Sequence, residues 1–160
     1  MRENSTFLCS TGKAPLRNAM RANSLTDAQR QYFSELVSEG EILSPVEFQR
    51  RMGWSAEDVK LAELARRVFA LESDNVKAYP AFYSDPRYAR EQLEAITVAL
   101  GDLSGGSKWV FFTTPKGSLA TPGRVTKDGR EQGTPRTPLQ ALAQGDFELT
   151  KPTALAYAER

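Results

Sequence analysis

Residues 44–69 read SPVEFQRRMGWSAEDVKLAELARRVF, and this stretch predicts two short helices separated by a glycine. Ser44 is a favoured N-cap residue, and Pro45 after it suits the first helical position. Gly53 would end the first helix, and Ser55 offers an N-cap for the second. We therefore predict a helix-turn-helix unit, in which two helices meet at a steep angle around a small turn residue.

The apolar residues of this unit fall at the positions that two such helices bury between them. Counted along the stretch, these positions are Phe48, Met52, Trp54, Val59 and Ala62. A spacing of i, i+3, i+4, i+7 is typical of a helix that is buried along one side. The residues Leu61, Leu64, Ala65 and Val68 have this spacing. We expect both sets to lie in the core.

The exposed side of the unit supplies candidate DNA contacts, because the N-terminal part of the second helix of such units enters the major groove. The candidate residues are Arg50, Arg51, Ser55, Ala56, Glu57, Lys60 and Leu61. The charges of residues 41–70 cancel, so the unit has little of the phosphate attraction that drives non-specific binding. A purely structural helix pair is therefore the alternative interpretation.

Shorter patterns flank the unit. Residues 26–29, Thr-Asp-Ala-Gln, fit a capping box, and the helix after it would carry one apolar face, formed by Tyr32, Phe33, Leu36 and Val37. Further along, Ser73-Asp74-Asn75 is typical of a turn between two β-prone runs, residues 68–71 and 76–79. We predict a short β-hairpin at this point.

The C-terminal half predicts a small helical domain. Asp85-Pro86 is expected to open a helix that Gly101 ends. The apolar run 107–114 suits either a buried helix or a strand, and periodicity does not decide between them. A further capping box begins at Thr137, and the helical stretch in residues 146–160 should be interrupted by Pro152.

These patterns together predict a mainly α fold. A flexible basic arm is expected in residues 1–24, a helix-turn-helix with a short hairpin in residues 25–83, and a helical domain in residues 84–160. Residues 120–135 are rich in Gly, Pro and Thr and are expected to form a loop inserted in the last domain.

Composition argues against enzyme chemistry. The 160 residues include no histidine and one cysteine, Cys9. Without histidine, Ser-His-Asp and Cys-His nucleophile pairs cannot form, and neither can histidine-based metal sites. Glu57 and Asp58 lie in a first helical turn, where acids complement the helix dipole rather than form an acid/base pair. We therefore expect a non-catalytic protein without metal or cofactor.

The bulk properties fit a cytoplasmic globular protein. The chain is 40% hydrophobic and 26% charged, with a formal net charge of +1. No apolar run approaches the roughly 18 residues that a spanning helix needs. The first 20 residues also lack the apolar centre of a secretion signal, so no membrane partner is expected.

The order of motifs along the chain resembles a known family. After the helix pair come WVFFTTP at residues 109–115, GSL at residues 117–119 and RTPLQAL at residues 136–142. This order is similar to that of bacterial antitoxins with an Xre/MbcA/ParS-like toxin-binding domain, over roughly residues 41–145. One departure is the insertion of residues 120–135, which could block a toxin, contact one or bind nucleic acid, or could be a tolerated insertion without a role of its own.

The resemblance implies a function as well as a fold. Members of the family dimerise, repress their own operon through operator DNA and neutralise a protein toxin, often a RES-domain enzyme that consumes NAD. It implies a partner-binding set of Trp109, Phe112, Pro115, Lys116, Leu119, Arg136 and Leu142. Large aromatics usually pack inside, so we expect Trp109 and Phe112 in the core and Arg136 at the surface.

Two other functions fit the same residues. The basic arm and the basic loop favour a stand-alone DNA-binding regulator without a toxin. The acidic start of the second helix favours a non-DNA adaptor that keeps the helix pair only as a fold.

Overall fold

The computed structural model describes residues 27–160, so the predicted basic arm and Thr26 of the first capping box lie outside the described residues. The fold is mainly helical with a small antiparallel sheet, as the sequence predicts. Helix α1 covers residues 27–38 of the described part. The further α-helices are α2 (Pro45–Met52), α3 (Ala56–Leu64), α4 (Arg90–Ala99), α5 (Gly105–Thr113), α6 (Pro138–Ala143) and α7 (Phe147–Ala158).

The sheet has three short strands, β1 (Ile42–Leu43), β2 (Leu71–Ser73) and β3 (Val76–Pro80), in the order β1-β3-β2. Strands β2 and β3 pair as a hairpin, with Leu71 opposite Ala78, but β2 lies later in the chain than the predicted run 68–71 and shares only Leu71 with it. The two turn residues of the hairpin, Asp74 and Asn75, have φ angles of 50° and 66°. Asp and Asn tolerate this left-handed conformation better than most residues.

The predicted helix caps of the central unit are present. The Ser44 hydroxyl accepts a hydrogen bond from the Glu47 amide, and Gly53 ends α2 in the left-handed conformation. Ser55 and Asp58 form a reciprocal capping box at the start of α3. Four of the five predicted inter-helix positions are buried and Trp54 is half-buried. The helix caps and these buried positions were therefore predicted correctly.

The second apolar set was predicted correctly only for Val68, which is buried, whereas Leu61, Leu64 and Ala65 are exposed. Leu61 and Leu64 are 52% and 72% exposed, whereas Val59 and Ala62 are buried. A helix turns about 100° per residue, so a stripe through Leu64 faces away from Ala62, which is in contact with the core. Leu61 and Leu64 therefore form an apolar patch on the surface.

The start of α4 and the course of α7 differ from the predictions. Helix α4 begins at Arg90 because Asp85 bonds the amide and guanidinium of Arg87 and holds residues 85–89 as a turn. Helix α7 continues through Pro152 without the predicted interruption. The run 107–114, for which the sequence allowed either a helix or a strand, is helical as far as Thr113, as part of α5.

The inserted loop contains a small hairpin of its own. Strand β4 (Arg124–Val125) pairs with strand β5 (Glu131–Gln132). The two ends of the insertion meet, because the Thr121 amide donates to the Thr134 carbonyl over 3.0 Å. The segment thus leaves the fold and returns to it at one point.

One buried cluster includes residues from both predicted domains. Phe112 of α5 is fully buried, with its ring centre 6.0 Å from that of Phe69 and 5.0 Å from that of Phe82. Phe82 also stacks on Trp109 at 6.0 Å. The helix pair and the C-terminal helices therefore share an aromatic core. Among residues 27–160, no helix has the length and apolar character needed to cross a membrane.

Candidate functional site

All seven candidate DNA contacts are exposed on the outside of the α2–α3 pair. The Arg50 guanidinium donates to both carboxylate oxygens of Glu47, from Nε over 2.8 Å and from Nη2 over 2.5 Å. Nε of Arg51 donates to the same carboxylate over 3.2 Å. These hydrogen bonds lower the pKa of Glu47 to about 2. A phosphate that reaches either arginine therefore competes with a carboxylate already in place.

The start of α3 is acidic as well as exposed. Asp58 accepts from the Ser55 amide over 2.9 Å, and hydrogen bonds from the backbone and hydroxyl of Ser55 lower the pKa of Asp58. Its carboxylate is thus held as a cap, and Glu57 beside it faces solvent. Lys60, one turn further along, is the exposed cation of this helix.

A second pair of arginines lies next to the turn between α2 and α3. The Arg90 guanidinium lies 5.6 Å from the centre of the Trp54 ring, and that of Arg67 lies 6.0 Å from it. Arg67 is bound to Glu94 at 2.9 Å. Arg90 was missed at the sequence level, because the chain folds back over 36 residues to place it beside Trp54.

The structure divides the predicted partner-binding set. Five members are buried, namely Trp109, Phe112, Leu119, Arg136 and Leu142. This confirms the prediction that Trp109 and Phe112 are core residues. Pro115 is exposed and Lys116 is half-buried, so these two are the members that a partner could touch directly.

The prediction that Arg136 lies at the surface was wrong, because its side chain is 7% exposed. Its Nε donates to the carbonyl of Leu119 over 2.7 Å, and Nη1 donates to Gln144 over 2.6 Å. The same nitrogen lies 2.6 Å from the carboxylate of Asp146. The buried guanidinium thus bonds one backbone carbonyl inside the fold and two side chains, Gln144 and Asp146, that reach it from the surface, and these partners satisfy its charge.

Pro115 and Lys116 open onto a pocket of about 560 Å³ between the 3-10 turn at Gly117–Leu119 and α7. The pocket also involves Ser118, Thr153, Tyr157 and Arg160. The Lys116 ammonium lies 4.8 Å from the centre of the Tyr157 ring, and the Arg160 guanidinium lies 5.9 Å from it. Tyr157 lies in the last turn of α7 and Arg160 lies just after that helix ends, and their proximity to Lys116 could not be predicted from the sequence.

The backbone of Lys116 is fixed in this position. Its amide donates to the carbonyl of Arg136 over 2.9 Å in an isolated bridge. The Arg136 side chain in turn anchors Leu119. The buried members of the predicted set thus position the exposed ones.

Within residues 27–160, no cluster of three or more Cys, Asp or Glu side chains is arranged to hold a metal ion. Comparison of the chain with protein-family models, with curated proteins and with solved structures found no match.

Proposed function

We propose that the protein is an antitoxin-like repressor, which binds operator DNA through α3 and holds a protein toxin on its C-terminal half. The observation that best supports this proposal is the shared aromatic core, which joins an exposed helix pair to a unit that presents Pro115 and Lys116. Such a connection lets a partner on one half alter the geometry of the other half.

On the DNA side, the proposal assigns the base-reading role to Ser55, Ala56 and Lys60, which are exposed near the start of α3. Arg90 is exposed beside the Trp54 turn and takes the role of a phosphate contact. Arg50 and Arg51 join them only when a phosphate displaces Glu47. We therefore expect modest affinity and a shallow salt dependence.

On the protein side, a toxin rests on the surface around Pro115 and Lys116. The buried residues Arg136 and Leu119 support that surface. Homodimerisation through a second copy belongs to the same proposal, as in the antitoxins that the sequence resembles.

The test of the partner is co-expression of the chain with the product of its neighbouring gene, followed by co-purification. We expect a stable complex that Lys116→Glu weakens. Lys151→Glu, a change at an exposed position of α7, should leave the complex intact. A neighbour that forms no complex, or a complex indifferent to Lys116→Glu, would contradict the partner half of the proposal.

The test of DNA binding is a mobility-shift series with the upstream region of the gene at several salt concentrations. We expect Lys60→Ala and Arg90→Ala each to weaken binding. Arg90→Ala should also make the binding constant depend less steeply on the salt concentration than it does in the wild type. Lys151→Ala, at an exposed position of α7, is the matched control. No shift at the lowest salt concentration would refute the DNA half.

The second candidate function is a protein-interaction adaptor without DNA binding. The exposed apolar pair Leu61 and Leu64 favours it, since apolar side chains side by side on a surface often mark a protein contact. The neutralised arginines of α2 favour it too. An adaptor predicts that Leu64→Lys abolishes partner binding while no DNA shift is seen.

A further inference from the structure

The pocket beside Tyr157 has a charge that the overall composition does not reveal. Lys116 and Arg160 both line it, and none of the described residues in its lining is acidic. The chain as a whole carries a net charge of only +1. Two cationic side chains thus line one pocket of about 560 Å³ whose described lining includes no Asp or Glu.

Both cations are held in place by the same ring. The Lys116 ammonium lies over Tyr157 at 4.8 Å and over Phe111 at 5.5 Å. Arg160 approaches Tyr157 at 5.9 Å, and Phe111 packs on Tyr157 at 5.1 Å. Cation–π contacts of this kind restrict two otherwise mobile side chains. An anion that enters the pocket meets charges already positioned for it.

Hydroxyl groups complete the lining. Ser118 Oγ and Thr153 Oγ1 lie 3.1 Å apart and hydrogen-bond to each other across the pocket. The Thr153 hydroxyl donates to the carbonyl of Leu149 over 3.0 Å, so Ser118 is the donor of this pair. The Ser118 hydroxyl can turn and donate to an incoming oxygen instead. The walls are formed partly by Pro115 and Pro152, which are among the most rigid residues in backbone conformation.

We propose that this pocket binds the phosphate group of a small molecule, with Lys116 and Arg160 as the charge partners and Ser118 as the hydroxyl donor. Phosphate has several acceptor oxygens, which suits two cations and a hydroxyl better than a single carboxylate does. The volume exceeds that of a phosphate ion and leaves room for the organic part of a phosphate monoester. The site does not depend on a toxin or on DNA.

The electrostatic environment of Lys116 favours an anion beside it. Partial burial lowers the pKa of its ammonium, and the positive charge of Arg160 lowers it further. A bound phosphate would reverse the second effect and raise the pKa of Lys116. A simpler role for the two cations is to offset the negative end of the α7 dipole, and that role predicts no response to phosphate.

The experiment is an amide-detected NMR titration of the full chain, without partner or DNA, using inorganic phosphate, adenosine 5′-monophosphate and adenosine. We expect saturable shifts at residues 116–119 and 153–160 with both phosphates and none with adenosine. Tighter binding of the monophosphate than of inorganic phosphate would assign the source to a phosphate monoester. Equal binding would assign it to free phosphate.

Variants separate binding from folding. Lys116→Met keeps the apolar stem over Tyr157 and should weaken phosphate binding roughly tenfold, as expected for the loss of one charge-assisted contact. Lys151→Met removes an exposed charge from α7 outside the pocket and should leave the affinity unchanged. Saturation should also raise the pKa of Lys116. Absence of saturable shifts, or equal affinity in Lys116→Met, would overturn the proposal and leave the helix dipole as the reason for the two cations.

Discussion

The Arg136 guanidinium joins the chain around Leu119 to the short connection between α6 and α7. It contacts the carbonyl of Leu119, the side chain of Gln144 and the carboxylate of Asp146. A buried charge with satisfied partners contributes to a specific structure, and removal of one partner leaves the others without compensation.

Arg136→Met should therefore destabilise the fold by about 2–4 kcal/mol in urea unfolding. Arg136→Lys should also destabilise it, since an ammonium cannot reproduce the planar set of donors. Arg130→Met, at an exposed position of the insertion, is the control and should stay within about 0.5 kcal/mol. Equal stability of Arg136→Met and the wild type would mean that these contacts do not hold the segments together.

The carboxylate of Glu47 makes the stability of the fold depend on pH. Its pKa falls from 4.5 to about 2 because Arg50 and Arg51 hydrogen-bond to the ionised form. Since the folded pKa is the lower one, the stabilisation from this group is fully present above pH 4.5. It is lost as the pH falls toward 2.

An NMR titration of the Glu47 side-chain carboxyl should show a midpoint near 2. In Arg50→Met the midpoint should rise toward the ordinary value, because the largest contribution comes from Arg50. Lys60→Met removes a cation of the same unit that does not bond Glu47 and should leave the midpoint in place. A wild-type midpoint at the ordinary value would show that the pair does not persist in solution.

At the scale of elements, a close approach between α5 and the end of the loop before β2 depends on one glycine. A Cβ atom on Gly105 would lie 2.0 Å from the carbonyl oxygen of Ala70, whereas one on Gly106 would meet nothing nearer than 4.0 Å. The first distance is far inside van der Waals contact, and the obstructing atom belongs to the backbone.

Gly105→Ala should therefore separate α5 from β2 and destabilise the protein by about 1–3 kcal/mol. Gly106→Ala, one residue along the same helix, should be neutral or stabilise it by up to about 1 kcal/mol, because alanine has the higher helix propensity. Thermal unfolding of the two variants decides the point, and a Gly105→Ala protein as stable as Gly106→Ala would contradict this packing.

The sequence predicted helix starts better than helix faces. Ser44, Ser55 and Thr137 each cap a helix through a hydrogen bond to an amide three residues away, so the signal and the structure lie in one short segment. The face that α3 buries depends instead on where α2 and the sheet lie. That information is absent from the spacing of Leu61 and Leu64, which is why their exposure was not foreseen.

The same limit applies to the candidate site. Pro115 and Lys116 were identified through their motif and are accessible. Arg136 was identified through a motif in the same way, but its burial was not predicted. That burial depends on an ion pair with Asp146, which lies beside Arg136 only in the folded chain. The pocket was missed because Lys116 and Tyr157 meet only after α7 packs against the 3-10 turn.

At the scale of the whole molecule, the aromatic core should make unfolding one event. Phe69 and Phe82 come from the predicted N-terminal domain, and Trp109 and Phe112 come from the C-terminal one. Their packing couples the two halves, because neither can expose its aromatic residues without exposing those of the other.

The two tryptophans allow this coupling to be measured. In Trp109→Phe, the fluorescence reports on Trp54 in the helix pair, while circular dichroism reports on all helices. We expect the two urea transitions to coincide within the variant, as two-state unfolding requires. Trp54→Phe should give the same coincidence from the C-terminal side, and a fluorescence transition that precedes the loss of helicity would instead indicate two independently folding halves.

The insertion at residues 120–135 has a practical consequence. Its ends meet at the bond between Thr121 and Thr134, and its β4–β5 hairpin is closed on itself. A foreign sequence placed at its turn, near Asp128 and Gly129, would start and finish at neighbouring points. The protein therefore offers a natural position for an internal fluorescent reporter or an affinity tag, far along the chain from both the helix pair and the last helix.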